Sequence, residues 1–191
     1  MEAYKKLKSY ILATVIFDLT VEFCDVFFSR NRISRTIDQT CPQCYAKRCR
    51  RVIQAGRSGK QNIAEGYTFK STESYIKLLG VAKGSFKELS ADYEDFLRQR
   101  KLSIWSKDHY KVRAFRDFRA SWKDPECTIP NTPNLPNNPE DAANMLLTFC
   151  QMETYLLEKQ IKALEEKFLK EGGYREKLFK KRLEYRNNKN N

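Results

Sequence analysis

Between Tyr75 and Leu97 the apolar residues Tyr75, Leu78, Leu79, Ala82, Phe86, Leu89, Tyr93, Phe96 and Leu97 recur at steps of three and four without interruption. This is the period of an α-helix that buries one face, sustained for too long to be a strand. Ser71 or Thr72 supplies the cap, and Glu73 lies near the positive helix end. A face of this length has to be covered, so the rest of the chain must provide partner helices.

From Tyr4 to Phe28, the residues Tyr4, Ile11, Val15, Ile16, Leu19, Phe23, Val26 and Phe27 form one such stripe. Tyr10, Phe17, Cys24 and Phe28 form a second on another side, leaving a narrow polar strip at Asp18, Glu22 and Asp25. A helix apolar on two sides wants two partners, which fits either a place deep in a bundle or an oligomer interface. Residues 30 to 66 carry a second helical region with apolar points at Ile37, Tyr45, Val52, Ile53 and Ile63. Its Ala55, Gly56, Ser58 and Gly59 keep one face small for close helix approach, Pro42 marks a start or a kink, Gly66 is the expected stop, and small Ala64 and Gly66 are expected to let the helix end approach the next helix. Residues 108 to 122 repeat the period weakly through Tyr110, Ala114, Phe115, Phe118 and Trp122, enough for a short accessory helix. Five of the six prolines fall in 124 to 139 and force that stretch to be extended. Asn138, Pro139, Glu140 and Asp141 then spell a helix start. Met145, Leu146, Phe149, Met152, Leu156, Leu157, Ile161, Leu164 and Phe168 line the last long helix, which Gly172 and Gly173 close.

The expected architecture is therefore all-α. It is an antiparallel up-down-up-down four-helix bundle over 1–173, with 98–138 as an irregular connection that holds the accessory helix, and a basic tail at 174–191. Seven Gly and six Pro in 191 residues argue against a chain of many short strands and turns.

Little in the sequence points to catalysis. One histidine, His109, excludes multi-histidine metal sites and makes any triad depend on a single residue. Cys41, Cys44 and Cys49 contain a Cys-x-x-Cys spacing, which is half of a zinc site or a redox pair. The other half is missing, since Cys127 and Cys150 stand far apart and an all-α chain lacks the βαβ context of the redox motif. Incidental thiols, a metal site with scattered ligands and redox chemistry are the three readings, and the neighbouring arginines are expected to lower these thiol pKa values. Gly56-Arg-Ser-Gly59-Lys60 fails as a phosphate loop, having two residues between its glycines and Gln61 after the lysine. Gly80-Val-Ala-Lys-Gly84 has the spacing of a close helix contact. Glu88, Asp92, Glu94 and Asp95 read as surface charges. No catalytic residue, metal or cofactor is expected.

Lys5, Lys6 and Lys8 before the uncharged stretch Ser9 to Phe17 imitate a secretion signal, yet Asp18 ends the stretch with no small-x-small site behind it. Asp18, Glu22 and Asp25 also oppose a membrane span. A retained helix, reduced thiols and a cytoplasmic protein with no membrane contact are expected.

The formal net charge of +12 is concentrated. Residues 30 to 70 hold ten Lys or Arg (Arg30, Arg32, Arg35, Lys47, Arg48, Arg50, Arg51, Arg57, Lys60 and Lys70) against Asp38 and Glu65, a net of +8. Residues 170 to 191 hold eight against three acids, a net of +5. A localised excess rich in arginine suits phosphate contacts better than simple solubility requires. Arg48, Arg50, Arg51, Arg57, Lys60 and Lys70, with Lys177, Lys180, Lys181 and Arg182 of the tail, are the candidate nucleic-acid-binding residues, and Arg57, Lys60 and Gln61, within about one helical turn, are expected to face a polyanion together.

Arg57-Ser-Gly-Lys-Gln-Asn-Ile-Ala-Glu-Gly66, followed by Lys70-Ser71-Thr72-Glu73-Ser74-Tyr75 and Gly84-Ser85-Phe86-Lys87-Glu88-Leu89, resembles the bacterial four-helix-bundle family of 23S rRNA intervening-sequence proteins. That family includes the accessory variability protein of diversity-generating retroelements. The resemblance implies an antiparallel four-helix bundle, a ring-like homopentamer and, for the retroelement branch, binding to nucleic acid and to a reverse transcriptase, with no catalytic residues. The cysteine cluster, the proline-rich connection and the basic tail depart from the family's compact pattern.

The leading expectation is a non-enzymatic, oligomeric accessory protein that binds RNA or DNA through its backbone. The alternatives are a scaffold that docks an acidic protein partner, and a metal or redox protein built on the cysteines.

Overall fold

The fold is described from a computed structural model. It covers residues 2–28, 42–118 and 133–189, with the side chains of all of these except 28 and 42–46. Within that range the chain is helical and contains no strand. After a 3-10 turn at Ala3–Lys6 come α1 (Lys8–Phe23) with a π turn at Cys24–Phe28, α2 (Pro42–Thr68), α3 (Thr72–Gln99), α4 (Tyr110–Asp117), α5 (Pro139–Glu171) and α6 (Tyr174–Lys189). Arg30, Arg32, Arg35, Ile37, Cys41, Trp122, Cys127 and most of the proline-rich stretch lie outside the described residues, as do the side chains of Phe28, Cys44 and Tyr45.

The helix boundaries follow local chemistry. The Ser71 hydroxyl accepts the Ser74 backbone N–H at the start of α3, and Asn138 Oδ1 accepts the Glu140 N–H at 2.8 Å at the start of α5. Each bond satisfies a donor that the first helical turn would leave free. Pro42 stands at the first position of α2, where its missing N–H costs nothing. Gly172, at φ +74°, ends α5 in the left-handed region.

α1 packs on α2 and α5, and α3 packs on the same two helices. Fixed pairings set the register: Gly56 lies against Phe17 and Leu89, Ser85 bonds Ser58, and Ser9 and Tyr75 both bond Gln160. The shared core holds Leu12, Ile16, Leu19, Phe23, Ile63, Leu79, Phe86, Leu89, Leu97, Leu146 and Phe149, all fully enclosed. Phe23 meets Tyr93 edge-on at 5.3 Å between ring centroids and Phe96 at 4.8 Å. The Thr20 hydroxyl donates to the Ile16 carbonyl, so the hydroxyl of buried Tyr93 donates to Thr20 at 2.8 Å. A buried tyrosine thus keeps its polar atom satisfied.

Four expectations from the sequence need correction. Gly66 does not stop α2, which runs on to Thr68. The close approach to α3 expected there does occur, since a Cβ at Gly66 would lie 2.7 Å from the Tyr75 ring. Gly80 and Gly84 make no close helix contact, because both are exposed with nothing within 4 Å of a Cβ position. Asp92 is not a solvated surface charge; it sits between α2 and α3, paired with Arg51 at 3.2 Å. The second stripe of α1 is covered by the chain itself at Tyr10, Phe17 and Cys24: Cys24 is buried, and Phe17 lies under Lys60 and against Gly56. Those three side chains therefore do not demand an oligomer.

The 98–138 connection is tied down over its first part. Asn144, buried in α5, accepts the Trp105 N–H at 2.9 Å and donates to the Ser103 and Glu140 carbonyls. The Trp105 indole N–H bonds Glu140, and Lys111 pairs with Asp141. This polar seam joins the apolar contacts of α4, in which Val112 is buried and the Phe115 and Phe118 rings lie against Phe149 of α5.

Candidate nucleic-acid interface

α2 is built as two opposed faces. Val52, Ala55, Gly56, Gly59 and Ile63 turn inward, and Gly59 lets the Phe86 ring approach so closely that a Cβ would lie 2.6 Å from it. The outer face follows from the helical period: Lys47, Arg50, Gln54, Arg57 and Gln61 recur at steps of three and four, and all are exposed. From Arg50 to Arg57 is two helical turns, a rise of about 10 Å.

The ten residues selected from charge alone do not form one patch. Arg50 and Arg57 are exposed and make no ion pair among the described residues. Arg48 donates to Gln99 at 3.0 Å, and Arg51 is held by Asp92. Asp95 lies close enough to both arginines for them to hold its carboxyl low, after its own partner Arg98. Lys60, grouped with Arg57 and Gln61 by spacing, turns away from them, with its Nζ 4.2 Å from the centre of the Phe17 ring. Lys70 is exposed on the short link between α2 and α3.

Lys70 adjoins the second group. α6 starts beside the start of α3, where Gly173 lies against Glu73 and Arg175 acts electrostatically on that carboxylate. Lys177 is paired with Glu171 at 3.1 Å, whereas Lys180, Lys181 and Arg182 are exposed with no ion pair among the described residues. Nothing in α6 is buried, and its Leu178, Phe179, Leu183 and Tyr185 are open to solvent as well. The end of α2 at Thr68 is some 16 Å of helix rise beyond Arg57, so the two groups occupy separate stations on the molecule.

The sequence reading missed Gln54, which with Gln61 extends the α2 stripe by uncharged donors, and it left Lys47 out of the site. The i, i+3, i+7 spacing shared by Lys47, Arg50 and Gln54 was the signal that marks them.

No catalytic constellation accompanies these surfaces among the described residues, and none of their His, Cys, Asp and Glu groups is placed to hold a metal ion. His109 stacks on Trp105 at 4.2 Å between ring centroids, beside Tyr110. The expected low thiol pKa at Cys49 is not found, because burial pushes it up and Arg48 offsets only part of that. No described helix is long and apolar enough to cross a membrane. No family model, curated protein or solved structure matches the chain.

Proposed function

We infer that this protein is a non-enzymatic accessory factor that binds the backbone of RNA or DNA through the outer face of α2, on an up-down-up-down four-helix bundle. The observation that carries this reading is the pair Arg50 and Arg57, exposed two turns apart with no ion pair among the described residues, in line with Lys47, Gln54 and Gln61. An arginine offers a fixed fork of donors to phosphate oxygens, and the glutamines can follow the sugar-phosphate chain without choosing a base. α6 supplies a second cationic arm in Lys180, Lys181 and Arg182. Following the sequence resemblance, the working form is a cytoplasmic homopentamer that assists a reverse transcriptase.

Salt titration of binding tests the reading. With about six phosphates contacted, log affinity falls against log salt with a slope near −5 on duplex DNA and near −4 on single strands. The double variant Arg50→Ala and Arg57→Ala should lower that slope by about two units with unchanged helicity, since neither residue packs inside. A scaffold for an acidic protein is the second reading, favoured by the open leucine and phenylalanine side chains of α6. Absence of binding to duplex, single strand and structured RNA at about 50 mM salt, where phosphate contacts are strong, would select it.

A further inference from the structure

Three aromatic rings meet in a row where the connection enters α4. Trp105 is the inner member, and it is held in place. Its backbone N–H donates to Asn144 at 2.9 Å, its indole N–H donates to Glu140 at 3.0 Å, and the Lys111 ammonium lies 5.2 Å from its ring centre. The His109 ring stacks on it, 4.2 Å between centroids and 18° between planes. Tyr110, the first residue of α4, follows at 4.8 Å and 30° from His109. His109 Nδ1 is enclosed with no hydrogen-bond partner among the described residues, so ring contact and not a bond at that atom places the imidazole. The row ends in solvent, with Tyr110 70% exposed.

Resting on the nucleic-acid reading above, we propose that Tyr110 is a stacking platform for an unpaired base of single-stranded RNA or DNA. A base stacked there adds a fourth ring to a row whose inner members are already fixed, so little side-chain freedom is lost on binding. Ala114, one turn along the same helix face, is small and exposed and leaves the tyrosine uncrowded. The surroundings suit a phosphate chain. Lys107 and Arg116 are exposed with no ion pair among the described residues. Arg113, on the face of Tyr110, is paired with Asp108 at 3.4 Å, and both groups are exposed, so a phosphate can displace that pair at little cost. Every base has a π-face, so the platform tolerates any sequence. A duplex, whose bases already stack on one another, gains nothing from it along its length. α4 packs on α5, whereas α2 packs on α1 and α3, so the platform and the α2 stripe can be altered separately.

The test is binding of the full chain to a single-stranded oligonucleotide and to a duplex of the same length, each across a salt series. Tyr110→Ala should weaken single-strand binding by about 5- to 150-fold and leave duplex binding unchanged. Stacking releases no counterions, so the factor should be the same at every salt concentration, whereas Arg50→Ala with Arg57→Ala lowers the salt slope on both substrates. Tyr110→Phe keeps the ring and should bind as the parent does. Tyr110→Leu keeps bulk without the ring and should match alanine, which covers an alanine variant that loses helicity. A single strand carrying iodouracil should photo-crosslink to the peptide that holds Tyr110. Equal losses on single strand and duplex, or no loss in the alanine and leucine variants, would overturn the platform and leave the α2 reading standing. Failure of the parent protein to bind either substrate would overturn both.

Discussion

α2 and α6 carry similar charge and differ in almost everything else. α2 keeps one face buried against α1 and α3, so each outward side chain has a defined direction and several are already engaged by neighbours. α6 buries nothing and is attached through the Gly172–Gly173 corner, so its cations keep their full reach but no fixed arrangement. The difference teaches that a basic segment becomes a defined surface only where an apolar face anchors it. Without that anchor a short helix owes little to packing, and a 16-residue helix in isolation is marginal.

The most severe way to break the contrast is to remove the anchor. Phe86 fills the space that Gly59 leaves, so Phe86→Ala should cost about 3–5 kcal/mol in urea unfolding. Gly59→Ala presses a methyl into the enclosed ring and should cost about 1–3 kcal/mol, despite the better helix propensity of alanine. Gly80→Ala meets open space and is the control, with a gain of about 0.5–1 kcal/mol. A loss at Gly80 equal to that at Gly59 would contradict the assigned faces.

The contact between α2 and α3 should also register in pH. Desolvation raises the Asp92 pKa, and its pairing with Arg51 only partly reverses this. A carboxyl raised on folding contributes stability that is present below its unfolded pKa and lost as pH rises through the folded value. Asp92→Asn should remove that loss, making the melting temperature flatter across the aspartate titration range than in the parent protein. An unchanged profile would place Asp92 in solvent.

The smallest effect is expected at α6. Ending the chain at Gly173 should leave the melting temperature nearly unchanged, within about 0.5 kcal/mol of stability, because no core contact is lost. The same truncation should reduce the salt slope of nucleic-acid binding by the contribution of Lys180, Lys181 and Arg182. A large fall in stability would mean that α6 docks on the protein.

Helix capping and single-face periodicity were readable residue by residue. Ser71, Asn138, Gly172 and the run from Leu79 to Leu97 behave as expected because caps and stripes depend on neighbours within a few positions. The glycines were readable only in part: the close approach expected at the small face of α2 is present, and the one expected at Gly80 and Gly84 is not. Gly59 and Gly66 face rings on α3, while Gly80 and Gly84 face outward, although all sit on helices at similar spacings. Which glycine marks a contact depends on how the helices rotate against one another, and spacing within one helix does not contain that rotation.

The candidate site divides along the same line. Total charge and its two concentrations are properties of composition, and the sequence by itself determined them, together with the all-helical class. Packing alone sets which cations are engaged: Arg48, Arg51, Lys60 and Lys177 meet Gln99, Asp92, Phe17 and Glu171, while Arg50, Arg57, Lys180, Lys181 and Arg182 have no ion pair among the described residues. The physical reason is that hydrogen bonds and ion pairs act over a few ångströms, and residues distant in sequence come that close only after the apolar faces have fixed how the helices pack.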